Sequence, residues 1–288
     1  MLVNLKEILK IAEEKNMAVG GFNALDLATL KSDIAAAEET GMPVVVQFAM
    51  LHEKYNRLED IGPLMVKYAE EASVPVCPML DHGETVDHIR RALDLGFTGV
   101  MFDGSDLPYE ENVDLTCQCV ELAKKCNAGV EAELGSMGKR IYGKEDSTGD
   151  TDASKIYTDP EQAAEFVKTT GIDALACSFG TTHGIYLTEP RLSFDVVANV
   201  RKATGGIPVV MHGGSGVSAE DFHKSIDAGV RKINYYTYMD KAAAYAVKQQ
   251  CESLAPEHLQ FFNLLVAAEK AMKANVAETI KVFANGQI

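Results

Sequence analysis

Apolar runs closed by glycine, proline or a polar residue recur along this chain. They are Ala18 to Ala24, Pro43 to Ala49, Pro75 to Asp81, Gly99 to Ser105, Gly129 to Gly135, Ala174 to Gly180, Pro208 to Gly214 and Lys232 to Thr237. The runs are nearly continuous rather than alternating, the pattern of parallel strands buried on both faces. Between them lie segments with helical spacing; Leu27, Leu30, Ile34 and Ala37, for example, make one apolar stripe. Helix starts are marked by Asp159-Pro160-Glu161-Gln162, a capping side chain ahead of a helix-compatible proline, and by Ser218-Ala219-Glu220-Asp221, a capping-box variant. Eight strand-helix units predict an α/β fold, a (β/α)8 TIM barrel. An open doubly wound sheet is the alternative, disfavoured because eight units run on with no evident reversal of strand order. Lys241 to Phe283 is predicted helical, a C-terminal extension of about residues 241–285 beyond the eighth helix of a single barrel domain.

Length and composition agree with one large soluble domain. The chain has 288 residues, 47% hydrophobic and 24% charged, with no Pro/Ser-rich linker or low-complexity block to divide it. Its longest apolar stretches fall short of the ~20 residues a membrane span needs, and the start, Met-Leu-Val-Asn-Leu-Lys-Glu, lacks a secretory pattern. A cytoplasmic location is expected. A formal net charge of -15 argues against nucleic-acid or anionic-membrane partners, which need a basic footprint. The six cysteines form no CxxC pair and read as structural or incidental thiols.

Chemistry enters at the strand ends, where a barrel gathers its loops. Asn23, Asp81, His82, Asp103, Glu133, His183, His212 and Asn234 all fall there, on seven different strands. Three imidazoles, His82, His183 and His212, match the ligand count of a catalytic Zn2+ site with one open position. The other histidines, His52, His88, His223 and His258, are expected at the surface. Asp81 precedes a candidate ligand and could transfer protons or orient an imidazole; the competing role is to cap the helix that follows. Glu131 and Glu133 share one face of the fifth strand and Asp103 ends the fourth, so these carboxylates suggest a second or alternate metal position or, otherwise, a salt bridge to a lysine. Gly213-Gly214-Ser215-Gly216 after the seventh strand and Asn234-Tyr235-Tyr236-Thr237 at the eighth suggest a phosphate site. Ser136 to Lys155 is polar and patternless, either a solvated loop or a lid whose Glu145 and Asp146 could act as acid or base on closure.

These motifs resemble the class II, metal-dependent ketose-bisphosphate aldolases, the fructose- and tagatose-bisphosphate type. The likeness is carried by Leu80-Asp81-His82, Met101-Phe102-Asp103-Gly104-Ser105, Glu131-Ala132-Glu133-Leu134-Gly135, Tyr157-Thr158-Asp159-Pro160, Gly180-Thr181-Thr182-His183-Gly184 and His212-Gly213-Gly214-Ser215-Gly216. The resemblance implies that His82, His183 and His212 hold Zn2+, with Asp103 and Glu133 lining an alternate position for the ion. It implies that Asp81 exchanges a proton with the hydroxyl that becomes the aldehyde, and that Glu145 is the lid glutamate acting at the donor carbon. Asn23, Gly184, Gly213, Ser215, Asn234 and Thr237 are the implied substrate-binding residues, most of them at the phosphate of dihydroxyacetone phosphate. A monovalent cation, Na+ or K+, and a homodimer or larger homo-oligomer are further implications. So is the reaction: reversible cleavage of a phosphorylated ketose through a metal-stabilised enediolate.

The chain also departs from that pattern. The segment between Gly135 and Gly143 is a few residues longer than usual, the second strand ends Gln47-Phe48-Ala49 where many members have a serine, and Tyr235, Tyr236 and Tyr238 surround Thr237. No arginine in the C-terminal helices stands out as a reader of a second phosphate. These changes fall on the acceptor side, so the aldehyde partner is expected to differ from glyceraldehyde 3-phosphate. A metal-dependent sugar-phosphate epimerase or isomerase and a non-catalytic barrel subunit are the rival readings. A Schiff-base aldolase needs a lysine at the pocket end of a strand, and Lys232 is expected at the opposite end of its own.

Overall fold

The computed structural model describes residues 1–135, 157–184, 186 and 190–288. Its strands are β1 (Val19–Asn23), β2 (Val44–Ala49), β3 (Val76–Gly83), β4 (Gly99–Phe102), β5 (Gly129–Leu134), β6 (Ala174–Cys177), β7 (Val209–Met211) and β8 (Val230–Tyr235). They close into a parallel barrel in sequence order, β8 returning to β1 with Val19 opposite Lys232. The expected (β/α)8 architecture is therefore the observed one. Every strand residue except His82 is buried, which explains the unbroken apolar runs.

Helices α1 (Leu5–Glu14), α2 (Leu27–Thr40), α3 (Leu58–Glu71), α4 (Val86–Asp94), α5 (Tyr109–Lys125), α6 (Pro160–Thr170), α7 (Phe194–Ala203) and α8 (Ala219–Ala228) precede or separate the strands. The stripe read on α2 packs inward through Leu30, Ile34 and Ala37, while Leu27 is exposed. Both expected start signals work as caps: Asp159 accepts from the Gln162 amide with Pro160 in the first turn, and Ser218 accepts from the Asp221 amide. Helix α1 begins with a capping box, Asn4 with Glu7, and lies against β1, β3, β5 and β8. Backbone bonds from Val3 to Val76 and from Leu5 to Thr98 set it at the N-terminal end of the barrel. That end is closed, which leaves the C-terminal end as the mouth.

The expected C-terminal extension divides in two. Helix α9 (Thr237–Ser253) follows β8, and α10 (Phe261–Phe283) packs against α2, α8, α9 and β1. By its neighbours α10 fills the outer-layer position between α8 and α2, and α9 is the excursion that leads to it. No helix among the described residues is long and apolar enough to cross a membrane.

Candidate active site

Strand ends decide which side chains meet. β4 and β7 stop earlier than their apolar runs, so Asp103 and His212 sit in the loops just beyond, and His183 lies further along the loop after β6. β3 runs on to Gly83, its register with β4 shifting between Leu80 and Gly83, and His82 has a left-handed φ of 49°. An L residue adopts that conformation at a cost. The turn breaks the strand's alternation, which lets neighbouring Asp81 and His82 both face the mouth. At Gly213, φ is 65° and a Cβ would stand 2.3 Å from the Thr182 carbonyl oxygen. Only glycine permits this approach, which brings the β7 loop carrying His212 beside the β6 loop carrying His183.

The three imidazoles converge. Their ring centroids are 5.0 Å apart for His82 and His183, 4.8 Å for His82 and His212, and 5.7 Å for His183 and His212. His82 Nδ1 lies 2.7 Å from Asp103 Oδ2, and His212 Nε2 lies 2.9 Å from Glu131 Oε1. Each carboxylate selects the tautomer that donates to it, which turns the opposite nitrogen, His82 Nε2 or His212 Nδ1, toward its neighbour at 3.2 Å. With both rings neutral, two lone pairs face each other across that gap, and either a proton on His82 or a cation beside the pair relieves the contact. His183 Nε2 and Glu133 Oε2 are buried without a hydrogen-bond partner. One ligand atom from each of His82, His183 and His212, or from each of His82, Asp103 and Glu133, lies within 4.8 Å of the others. These nitrogen and oxygen donors fit a divalent ion.

Electrostatics point the same way. Burial lowers His82, but the Asp81, Asp103 and Glu133 carboxylates outweigh it and raise the imidazole to about 10. Glu133 is pushed up to about 8 by burial and by Asp103. His183 is pushed down to about 3 by burial and by the other two imidazoles. Without an ion the carboxylates can only recruit protons, so the centre lacks positive charge.

The carboxylates divide their work. Glu131 meets the lysine alternative: its Oε2 takes a hydrogen bond of 2.8 Å from Lys232 Nζ, both side chains fully buried. Burial works to raise Glu131, but Lys232 and the His212 hydrogen bond hold it at about 2. Since β8 starts at Val230, Lys232 lies within the strand rather than at its start, beneath the imidazoles. Asp103 bonds His82 through Oδ2 and Ser105 through Oδ1. Asp81 does not cap the following helix, which Thr85 caps. Its Oδ2 accepts from Gln47 Nε2 at 3.1 Å and its Oδ1 from Asn234 Nδ2 at 3.1 Å, while Gln47 also donates to Asn23 Oδ1 at 2.8 Å.

Above these groups opens a cavity of ≈ 640 Å³. Asn23, Asp81, His82, His183, Gly184, Gly213, Ser215, Asn234 and Thr237 line it. Asp103, Glu133 and His212 lie below that lining, and Glu145 falls outside the described residues. Ser215 Oγ accepts from the Tyr236 amide at 3.2 Å, and α9 starts at the cavity wall with no side chain capping its first turn. Three participants were not singled out from the sequence. Gln47 had a signal, an amide inside an apolar strand. Lys232 had one too, a charge inside a strand that must be buried. His52, expected at the surface, is 95% buried at the cavity wall, because a short 3-10 turn after β2 folds it back inside.

The family model described as fructose-bisphosphate aldolase class-II matches residues 3–287. A fructose-bisphosphate aldolase of Geobacillus stearothermophilus is 40% identical over 251 residues, 86% of this chain and 85% of its own. The crystal structure of the YdjI aldolase from Escherichia coli K12 superposes with a TM-score of 0.86 at 36% identity, covering 100% of this chain and 99% of that one. A structure of a putative fructose-1,6-bisphosphate aldolase from Coccidioides immitis superposes with a TM-score of 0.84 at 27% identity, covering 99% and 97%. With the match running through the strand ends that gather the three histidines, the chain belongs to the class-II fructose-bisphosphate aldolase family, a family of carbon–carbon lyases.

Proposed function

We propose that this aldolase cleaves and forms a phosphorylated ketose, with dihydroxyacetone phosphate as donor and Zn2+ held by His82, His183 and His212. The observation that carries this reading is the convergence of three imidazoles beside an anchored Asp81. Held by these three imidazoles, a divalent ion would supply Lewis acidity for the donor ketone. Glu131, held by Lys232, and Asp103, held by Ser105, keep His212 and His82 in the tautomers that offer lone pairs inward. Glu133 lines an alternate position with His82 and Asp103. Asp81, with its oxygens aligned by two amides, takes or returns the proton of the hydroxyl that interconverts with the aldehyde. Glu145 is proposed as the group acting at the donor carbon.

The uncapped start of α9 supports a phosphate site. Its free N–H groups and dipole favour an anion, and Thr237, Ser215, Gly213, Gly184, Asn234 and Asn23 share its cavity. No arginine lines the cavity among the described residues, and Lys54 and Asp240, which both line it, are of opposite charge. That balance supports an acceptor aldehyde without a phosphate. The exposed Phe261, Phe262 and Val266 on α10 support self-association into a homo-oligomer.

The test is proton exchange from dihydroxyacetone phosphate in deuterated water, with metal-loaded protein, chelated protein and His212→Ala. Exchange should fall by at least about 100-fold in the last two, and adding an aldehyde to the loaded enzyme should yield a ketose phosphate. Equal exchange in all three samples would sink the metal-centred reading.

A further inference from the structure

Three residues past the end of β2, His52 sits where the catalytic scheme above gives it nothing to do. Its side chain is 95% buried, it lines the cavity that also contains Asp81, and its Nδ1 has no hydrogen-bond partner. Buried polar atoms are nearly always paired, so an unpaired one in a side chain that lines a ligand cavity suggests a partner that arrives with the ligand.

The ring packs against one neighbour, and the turn that carries it is anchored. It packs on Tyr236 with centroids 5.1 Å apart and planes at 56°. Tyr236 is itself fixed, since its hydroxyl bonds the Asp240 carboxylate and its amide donates to Ser215 Oγ at 3.2 Å. In the segment that follows, Glu53 pairs with Arg91, which also bonds Glu59 at 2.9 Å, and Asn56 Nδ2 bonds the Leu25 carbonyl at 2.8 Å. A histidine buried this way is an oriented group on a rigid wall. Building such a wall only to leave a nitrogen unpaired makes sense if a substrate completes it.

We propose that His52 is a specificity-determining residue, whose imidazole hydrogen-bonds a hydroxyl of the aldehyde half of the substrate, so that the enzyme selects hydroxyl-bearing acceptors over aldehydes lacking one. The position fits the aldehyde half because β2 ends at Ala49, paired with Asp81, the carboxylate proposed to act at the hydroxyl that becomes the aldehyde, and His52 follows three residues later, with Tyr236 between it and the proposed phosphate end at the α9 start. The chemistry fits as well. Burial, against the pull of Asp81, lowers the His52 imidazole to about 4, so near pH 7 it is neutral. A neutral imidazole presents one N–H and one lone pair, which match a hydroxyl in either direction. Neither Lys54, exposed and lying over the Tyr55 ring, nor Asp240 gives the wall a net positive field for an anionic group.

This inference rests on the aldolase reading above, and the experiment separates the two. Wild-type proton exchange from dihydroxyacetone phosphate tests that reading. Aldol addition to glyceraldehyde and to propanal, which lacks hydroxyls, tests His52. With His52→Ala, the ratio of kcat/KM for glyceraldehyde to that for propanal should fall about tenfold, one hydrogen bond's worth, with the loss mostly in KM; His52→Gln should restore part of it. An unchanged ratio, or equal loss on both aldehydes without rescue by glutamine, overturns the assignment even while exchange persists. Absence of exchange in loaded wild type overturns the aldolase reading and the assignment with it.

Discussion

Lys232 shows how one side chain acts through two others. Its ammonium is fully buried and holds Glu131 of β5, which holds His212 Nε2, so the charge that orients a candidate metal ligand reaches it through a third strand rather than directly. Replacing Lys232 by Met leaves the buried Glu131 carboxylate with His212 alone and no ammonium to balance its charge, so it takes up a proton more readily and holds the tautomer of His212 less firmly. Zinc affinity, read by competition with a chromophoric chelator, should fall about 10–100-fold, and wild-type affinity in this variant would refute the relay. Stability should fall as well, by about 3–5 kcal/mol if the carboxylate stays charged and less if it protonates. Of these three residues the sequence indicated His212 and the inward face of Glu131. Lys232 was hidden by a two-residue error in where β8 begins, since a lysine at a strand's start can reach solvent and one inside the strand cannot.

At the scale of elements, the barrel floor is tied by Glu13 at the end of α1. It receives Arg201 from α7 at 2.7 Å and Arg231 from β8 at 2.8 Å. Burial raises its carboxyl, but the two guanidiniums win and the net shift is downward. A lowered folded pKa means that the bonus is complete above the ordinary glutamate value near 4.3 and is lost as pH falls toward the folded one. Glu13→Gln should therefore cost about 1–2 kcal/mol at pH 7, discounted because Glu13 is 40% exposed, and the difference should shrink below pH 4. Urea unfolding of both proteins across that range is the check; a pH-independent difference would mean that packing, not charge, holds α1. The caps at Asp159 and Ser218 were legible because they depend on three adjacent residues. The position of α10 was not, because a helix's apolar stripe says that it packs and not what it packs against.

For the whole molecule, closure of the barrel leaves the α9–α10 hairpin projecting an apolar surface. Phe261 is 74% exposed and Phe262 60%, with Tyr245, Leu265 and Val266 also exposed. This is the surface that the proposed homo-oligomer would cover. Sedimentation should show an oligomer, and Phe261→Ser combined with Phe262→Ser should shift it toward monomer with the far-ultraviolet spectrum retained. A wild-type monomer at micromolar concentration would remove the basis for the interface.

By itself the sequence determined the eight βα units, the parallel barrel and the strand ends at which Asp81, His82, Asp103, Glu133, His183 and His212 fall, because period and chain order follow from local pattern. The tertiary structure decided the rest. It decided which carboxylate serves which imidazole, that Glu131 answers Lys232 across 101 positions, and that His52 turns into the cavity rather than out to solvent. These pairings come from register, from a left-handed turn at His82 and from a loop contact that only Gly213 allows. None of these is a property of residues near in sequence; each exists only once the barrel has closed and fixed their distances.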